Sequence, residues 1–94
     1  MRIDTKEWDA LKKALQGVKG DVFLFGSRLD DKKKGGDIDI LIFSEENPFA
    51  LSRAVAVNFF IECEEKIDVV VMNPNKLTEE QQAFLNTTVR AKIL

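Results

Sequence analysis

Val22-Phe23-Leu24-Phe25-Gly26-Ser27, nine further residues, and then Asp37-Ile38-Asp39-Ile40-Leu41-Ile42-Phe43 form the stretch on which the reading of this chain turns. Val22–Phe25 is a continuous apolar run of strand length, too short for a helix and closed abruptly by Gly26-Ser27, so it reads as a buried central strand. Residues 28–36 hold three lysines, two aspartates and two glycines, a polar loop free to take unusual backbone angles at its end. Beyond it, acid alternates with isoleucine. Strand side chains alternate between faces, which puts Asp37, Asp39 and Leu41 on one side and Ile38, Ile40 and Ile42 on the other. Same-face neighbours sit about 6.5–7 Å apart along the backbone, so two such carboxylates can lean onto one or two metal ions about 3.5–4 Å apart.

The flanking sequence supplies the rest of a small domain. Downstream, Ile67-Asp68-Val69-Val70-Val71 within Lys66–Met72 is a β-branched run with one acid near its start, a third strand. Upstream, Asp4 or Thr5 is a helix N-cap with Glu7 placed to reach back to the free N–H groups. Trp8, Leu11, Leu15 and Val18 then form one apolar stripe that ends near Gly17 or Gly20. Asn47-Pro48 opens a second helix from Phe49 to about Glu64, with Leu51, Val55 and Phe59 facing the core and Ala54 and Phe60 as further core candidates. Asn73-Pro74-Asn75 is a turn, and Thr78-Glu79-Glu80-Gln81 is a capping box that starts a third helix through Phe84 and Leu85 towards Val89. Ala91–Leu94 is either a short last strand or a frayed end. The expected fold class is α/β (α+β): a small mixed sheet of three to four strands with helices packed on it, in a single domain over residues 1–94.

Composition narrows the function. The 94 residues, 45% hydrophobic and 32% charged, suit one folded domain with a modest core, and a chain this short gains from a partner, so a homo- or hetero-oligomer is in view. A net charge of −2 argues against a protein that grips a long nucleic acid by its phosphates. With one cysteine and no histidine, any metal must be held by oxygen, and Cys63 has no partner for an intramolecular disulfide. No apolar run approaches a membrane span or a signal peptide, which points to a cytoplasmic protein with no membrane association.

Three features then converge: Gly26-Ser27 closing one strand, Asp37-x-Asp39 opening the next, and Asp68 on a third. Singly, the first is an ordinary turn and the second a solvated strand face. Together, three carboxylates in one small site repel strongly enough that one tends to take up a proton unless a cation compensates. Magnesium suits them, since it takes hard oxygen ligands and keeps room for phosphate oxygens and water. Gly26 lets the backbone approach a phosphate closely, and the Ser27 hydroxyl can hydrogen-bond the β- and γ-phosphates of a nucleoside triphosphate. Arg28 is a further candidate for a triphosphate oxygen, weighed evenly against a merely solvated side chain. Lys32-Lys33-Lys34 reads first as a solubilising run, Cys63 as a small helix residue without a redox role, and Trp8 as a core anchor.

The run Phe25-Gly26-Ser27, nine residues, Asp37-Ile38-Asp39-Ile40 and a later-strand Asp68 resembles the pattern of the DNA polymerase β nucleotidyltransferase superfamily over nearly the whole chain. The length and helix-first order look like the minimal nucleotidyltransferases, which are often encoded beside a HEPN-domain protein as a toxin–antitoxin pair. The resemblance implies that Asp37 and Asp39 bind two magnesium ions and that Asp68 completes the metal site and helps activate the attacking hydroxyl. Gly26, Ser27 and Arg28 would bind the nucleotide, and AMP would pass from ATP to a hydroxyl acceptor, with a HEPN toxin as the expected partner. One departure is Gly36, which stands where many relatives have Ser or Thr before the first acid. Two other functions compete: a non-catalytic antitoxin module that neutralises its partner by contact, and transfer to a small molecule such as an aminoglycoside or to an RNA end, which the acidic balance and missing acceptor domain disfavour.

Overall fold

The computed structural model describes all 94 residues and runs α1 (Thr5–Ala14), β1 (Val22–Phe25), a 3-10 turn (Gly26–Leu29), β2 (Ile38–Phe43), α2 (Pro48–Cys63), β3 (Ile67–Met72), α3 (Glu79–Thr87) and β4 (Arg90–Lys92). β1 and β2 pair antiparallel, with Leu24 opposite Ile40 and Phe25 opposite Asp39. After β2 the chain crosses through α2 and returns as β3, parallel to β2, with Asp39 beside Asp68. A parallel neighbour needs such a crossover, and α2 supplies it. β4 closes the other side of β1 antiparallel, giving the sheet order β3-β2-β1-β4. The sheet is therefore mixed and four-stranded, as expected, and Arg90–Lys92 settles the C-terminal alternative as a strand.

One sheet face carries the core. Val22, Leu24, Ile38, Ile40, Ile42, Ile67 and Val71 pack with Ala10, Leu11, Ala14 and Leu15 of the first helical segment and with Val55, Phe59 and Cys63 of α2. On the opposite face, Leu41 and Met72 are also buried, beneath an edge-to-face contact of Phe23 with Phe43 at 5.5 Å. α3 joins that face through Phe84, edge-on to Phe25 at 5.4 Å. No helix is long and apolar enough to cross a membrane.

Helix starts follow the local chemistry. Asp4 and Glu7 form a reciprocal capping box on α1, Asn47 caps α2 ahead of Pro48, and Thr78 with Gln81 caps α3 in the same reciprocal way. Three side-chain readings are corrected. Ala54 and Phe60 face solvent, because the buried line of α2 is Val55, Phe59 and Cys63, and Phe60 lies about 100° round the helix from Phe59. Val89 lies beyond α3 and is exposed, since Thr88 is already extended and turns the chain into β4. Trp8 packs against the core from a partly buried position, with Lys12 above its ring, beside the buried stripe of Glu7, Ala10, Leu11 and Ala14 on α1.

Candidate active site

The antiparallel β1–β2 pair and the parallel β2–β3 pair bring three of the predicted residues to one end of the sheet. Asp39 is opposite Phe25, the last residue before Gly26, and directly beside Asp68. Gly26 has φ of +78°, and a Cβ there would stand 2.2 Å from Oδ2 of Asp39. Only a glycine lets the Asp39 carboxylate lie against the backbone at this turn. The far end of the loop shows a second such contact: Gly36, with φ of +87°, would place a Cβ 2.3 Å from Oγ of Ser27. The positive φ favours glycine at position 36, and a Ser or Thr there would hold a left-handed backbone and turn the Ser27 hydroxyl aside.

Asp37 leaves the loop directly after Gly36 and stands exposed just ahead of β2, not within the strand. Asp68 is exposed on β3, an edge strand, whereas Asp39 is half-buried between them. Burial pushes the Asp39 carboxyl above its ordinary range, and the charge of Asp68, a hydrogen bond shared with it and the charge of Asp37 push the same way. The structure gathers no group of three or more His, Cys, Asp or Glu into a ready metal cluster. What it presents is the pair Asp39–Asp68, with Asp37 near enough for its charge to be felt. A set of hard carboxylate oxygens under mutual repulsion is the donor chemistry that suits magnesium, with triphosphate oxygens completing the shell.

Arg28 is held by protein groups. Its Nη1 and Nη2 donate to Oε1 and Oε2 of Glu7, both at 2.9 Å, Nη1 also donates to the Arg2 carbonyl at 2.7 Å, and Nε donates to the Gly36 carbonyl at 2.9 Å. This pairing raises the Arg28 pKa, and for Glu7, burial pushes upward but the hydrogen bonds from Arg28 and the Asp4 backbone outweigh it and hold the carboxyl low. Sequence reading assigned Glu7 to the helix cap, which is correct, and missed its second task. The available signal was that Glu7 falls on the buried line of Leu11, Ala14 and Leu15. Arg2 was missed altogether: it donates to the carbonyls of Ser27, Asp30 and Gly35. Cys63 is buried, which pushes its thiol up.

Beside Gly26, an open cleft of about 530 Å³ is lined by Phe25, Leu29, Asp30, Phe84, Thr87, Thr88 and Val89. It adjoins the carboxylates, because Phe25 and Asp39 are paired residues of the same sheet face. No curated protein gives a significant match to the chain. Residues 6–91 match the family model described as the nucleotidyltransferase domain, so nearly every residue, the glycine-serine turn and all three aspartates included, falls within the match. The chain belongs to the nucleotidyltransferase domain family, of the polymerase β-like superfamily.

Proposed function

We propose that this nucleotidyltransferase is a magnesium-dependent adenylyltransferase that transfers AMP from ATP to a hydroxyl of a partner protein of the HEPN toxin type, in the cytoplasm. The observation that carries the reading is the seating of Asp39 between Gly26 and Asp68. The Gly26 backbone and the Ser27 hydroxyl bind the β- and γ-phosphates, and the nucleoside lies towards the cleft beside Phe25 and Phe84. Asp37, Asp39 and Asp68 would hold the metal, which supplies charge stabilisation for the triphosphate and the departing pyrophosphate. Asp68, on the open edge of the sheet, orients the acceptor hydroxyl and accepts its proton. The acceptor oxygen bonds to the α-phosphorus, the bond from that phosphorus to the bridging oxygen breaks, and pyrophosphate leaves.

Calorimetric titration of ATP with and without magnesium tests the site. Wild type is expected to bind only with magnesium, and Asp39→Asn to lose that binding. The same variant should be more stable, read as a higher Tm, because it removes a crowded, half-buried charge. Equal binding by both proteins would sink the assignment. With labelled ATP, magnesium and the HEPN partner, label should reach the partner only when Asp37 and Asp39 are intact.

A second reading, neutralisation by contact, is favoured by one observation: Phe49, Val57, Phe60 and Ile61 leave an exposed apolar face along α2. A variant carrying both Asp37→Asn and Asp39→Asn that still neutralised the partner fully would establish it over catalysis.

A further inference from the structure

The segment from Ser27 to Asp37 is polar, contains Gly35-Gly36 and carries three successive lysines, so ordering it is opposed by backbone entropy and like-charge repulsion. It is nevertheless closed, and the closure is made by two arginines. Arg2 spreads its planar fork over three carbonyls: Nη2 to Ser27 at 2.8 Å, Nε to Asp30 at 2.8 Å and Nη1 to Gly35 at 3.0 Å. One side chain thus ties the beginning, middle and end of the loop. Arg28 adds Gly36 through Nε and anchors the assembly to α1 through Glu7, while the Arg2 and Arg28 backbones are joined by a bond from the Arg2 N–H to the Arg28 carbonyl at 2.7 Å.

We infer that Arg2 is a positioning residue of the nucleotide site, acting with Arg28 as a clasp that presses Gly36 against Ser27 and fixes where Asp37 emerges. This rests on the nucleotide-binding reading above. The three donors of Arg2 end on loop carbonyls, so its effect on nucleotide reaches the site through the loop. The clasp needs the shape of a guanidinium as well as its charge: a lysine ammonium is a single point and cannot span three separated carbonyls. Gly36 completes the device, since its φ of +87° favours glycine and a Cβ there would turn the Ser27 hydroxyl aside.

The test compares wild type, Arg2→Met and Arg2→Lys as full chains, by hydrogen exchange over residues 29–37, calorimetry with ATP and magnesium, and thermal unfolding. Arg2→Met is expected to speed exchange in that segment about tenfold and to weaken nucleotide binding about tenfold, the loss of one well-placed charged interaction. The unfolding temperature should fall by no more than about 5–11 °C, the share of that one tenfold interaction, which leaves the chain folded at about 25 °C, and Arg2→Lys should restore neither the slow exchange nor the affinity. Recovery of both by Arg2→Lys would overturn the clasp in favour of simple charge. Unchanged loop exchange and unchanged affinity in Arg2→Met would overturn it outright. A wild-type protein that binds no nucleotide is a separate result, which sinks the underlying functional reading and the positioning role with it.

Discussion

Gly26 shows how much of the site rests on a missing atom. An alanine there must hold a left-handed backbone, at about 1–2 kcal/mol, and its Cβ would also push into the Asp39 carboxylate. Gly17 separates these two costs, because it has nearly the same φ, +79°, with nothing within 4 Å of a Cβ. Gly17→Ala and Gly26→Ala are both expected to lose stability in urea denaturation, but only Gly26→Ala should abolish magnesium-dependent ATP binding. If Gly17→Ala lost binding equally, backbone strain alone would explain the effect. The residue types of the candidate site were legible in sequence for a chemical reason: close approach to a phosphate or carboxylate favours glycine, and a metal held without His or a second Cys would need acids. The exposed position of Asp37, ahead of the strand, was not legible, since strand alternation says nothing about where pairing begins.

Among the elements, α2 carries opposite lessons on its two sides. Phe59 is fully buried under the sheet, whereas Phe49 is 86% exposed in the first turn. Phe59→Ala should cost about 3–5 kcal/mol in urea denaturation, a large part of what a domain of this size has, while Phe49→Ser should stay within about 0.5 kcal/mol. A large loss at Phe49 would show that the helix end is packed in solution. The helix itself was readable from Asn47-Pro48, but its buried line was read too widely. Phe60 is as apolar as Phe59, and an almost uniformly apolar helix offers little periodicity by which to choose between them.

Across the whole molecule, the one buried ion pair joins α1 to the loop after β1, Arg28 to Glu7. Glu7 titrates below its ordinary value, so the stability it contributes is present above that value, near 4.5, and is lost as pH falls through the lower folded-state value. Asp4, Arg28 and Glu65 surround it. Glu65 is shifted up, first by burial and then by the hydrogen bond and charge of Glu7, and its contribution runs the opposite way. Glu7→Gln is expected to be less stable than wild type at about pH 7 by about 3 kcal/mol, with the gap narrowing as pH falls below about 4.5, as read from urea midpoints. A gap that persisted in acid would assign the loss to packing rather than charge.

Periodicity, capping pairs and turn residues lie close together along the chain, and from them came the three helices, the first three strands and the glycine-serine turn with its aspartates, while the mixed sheet was an expectation that stood with the family resemblance. Their physics is local: an N-cap three residues from its acceptor and a strand's alternation need no knowledge of the rest. The placement of β4 on the free edge of β1, the contact of Asp39 with Gly26, and the Arg2–Arg28–Glu7 clasp were decided only by the tertiary structure. These join residues 13 to 69 positions apart in sequence, and no local preference distinguishes an arginine that will find three carbonyls from one that will stay in water.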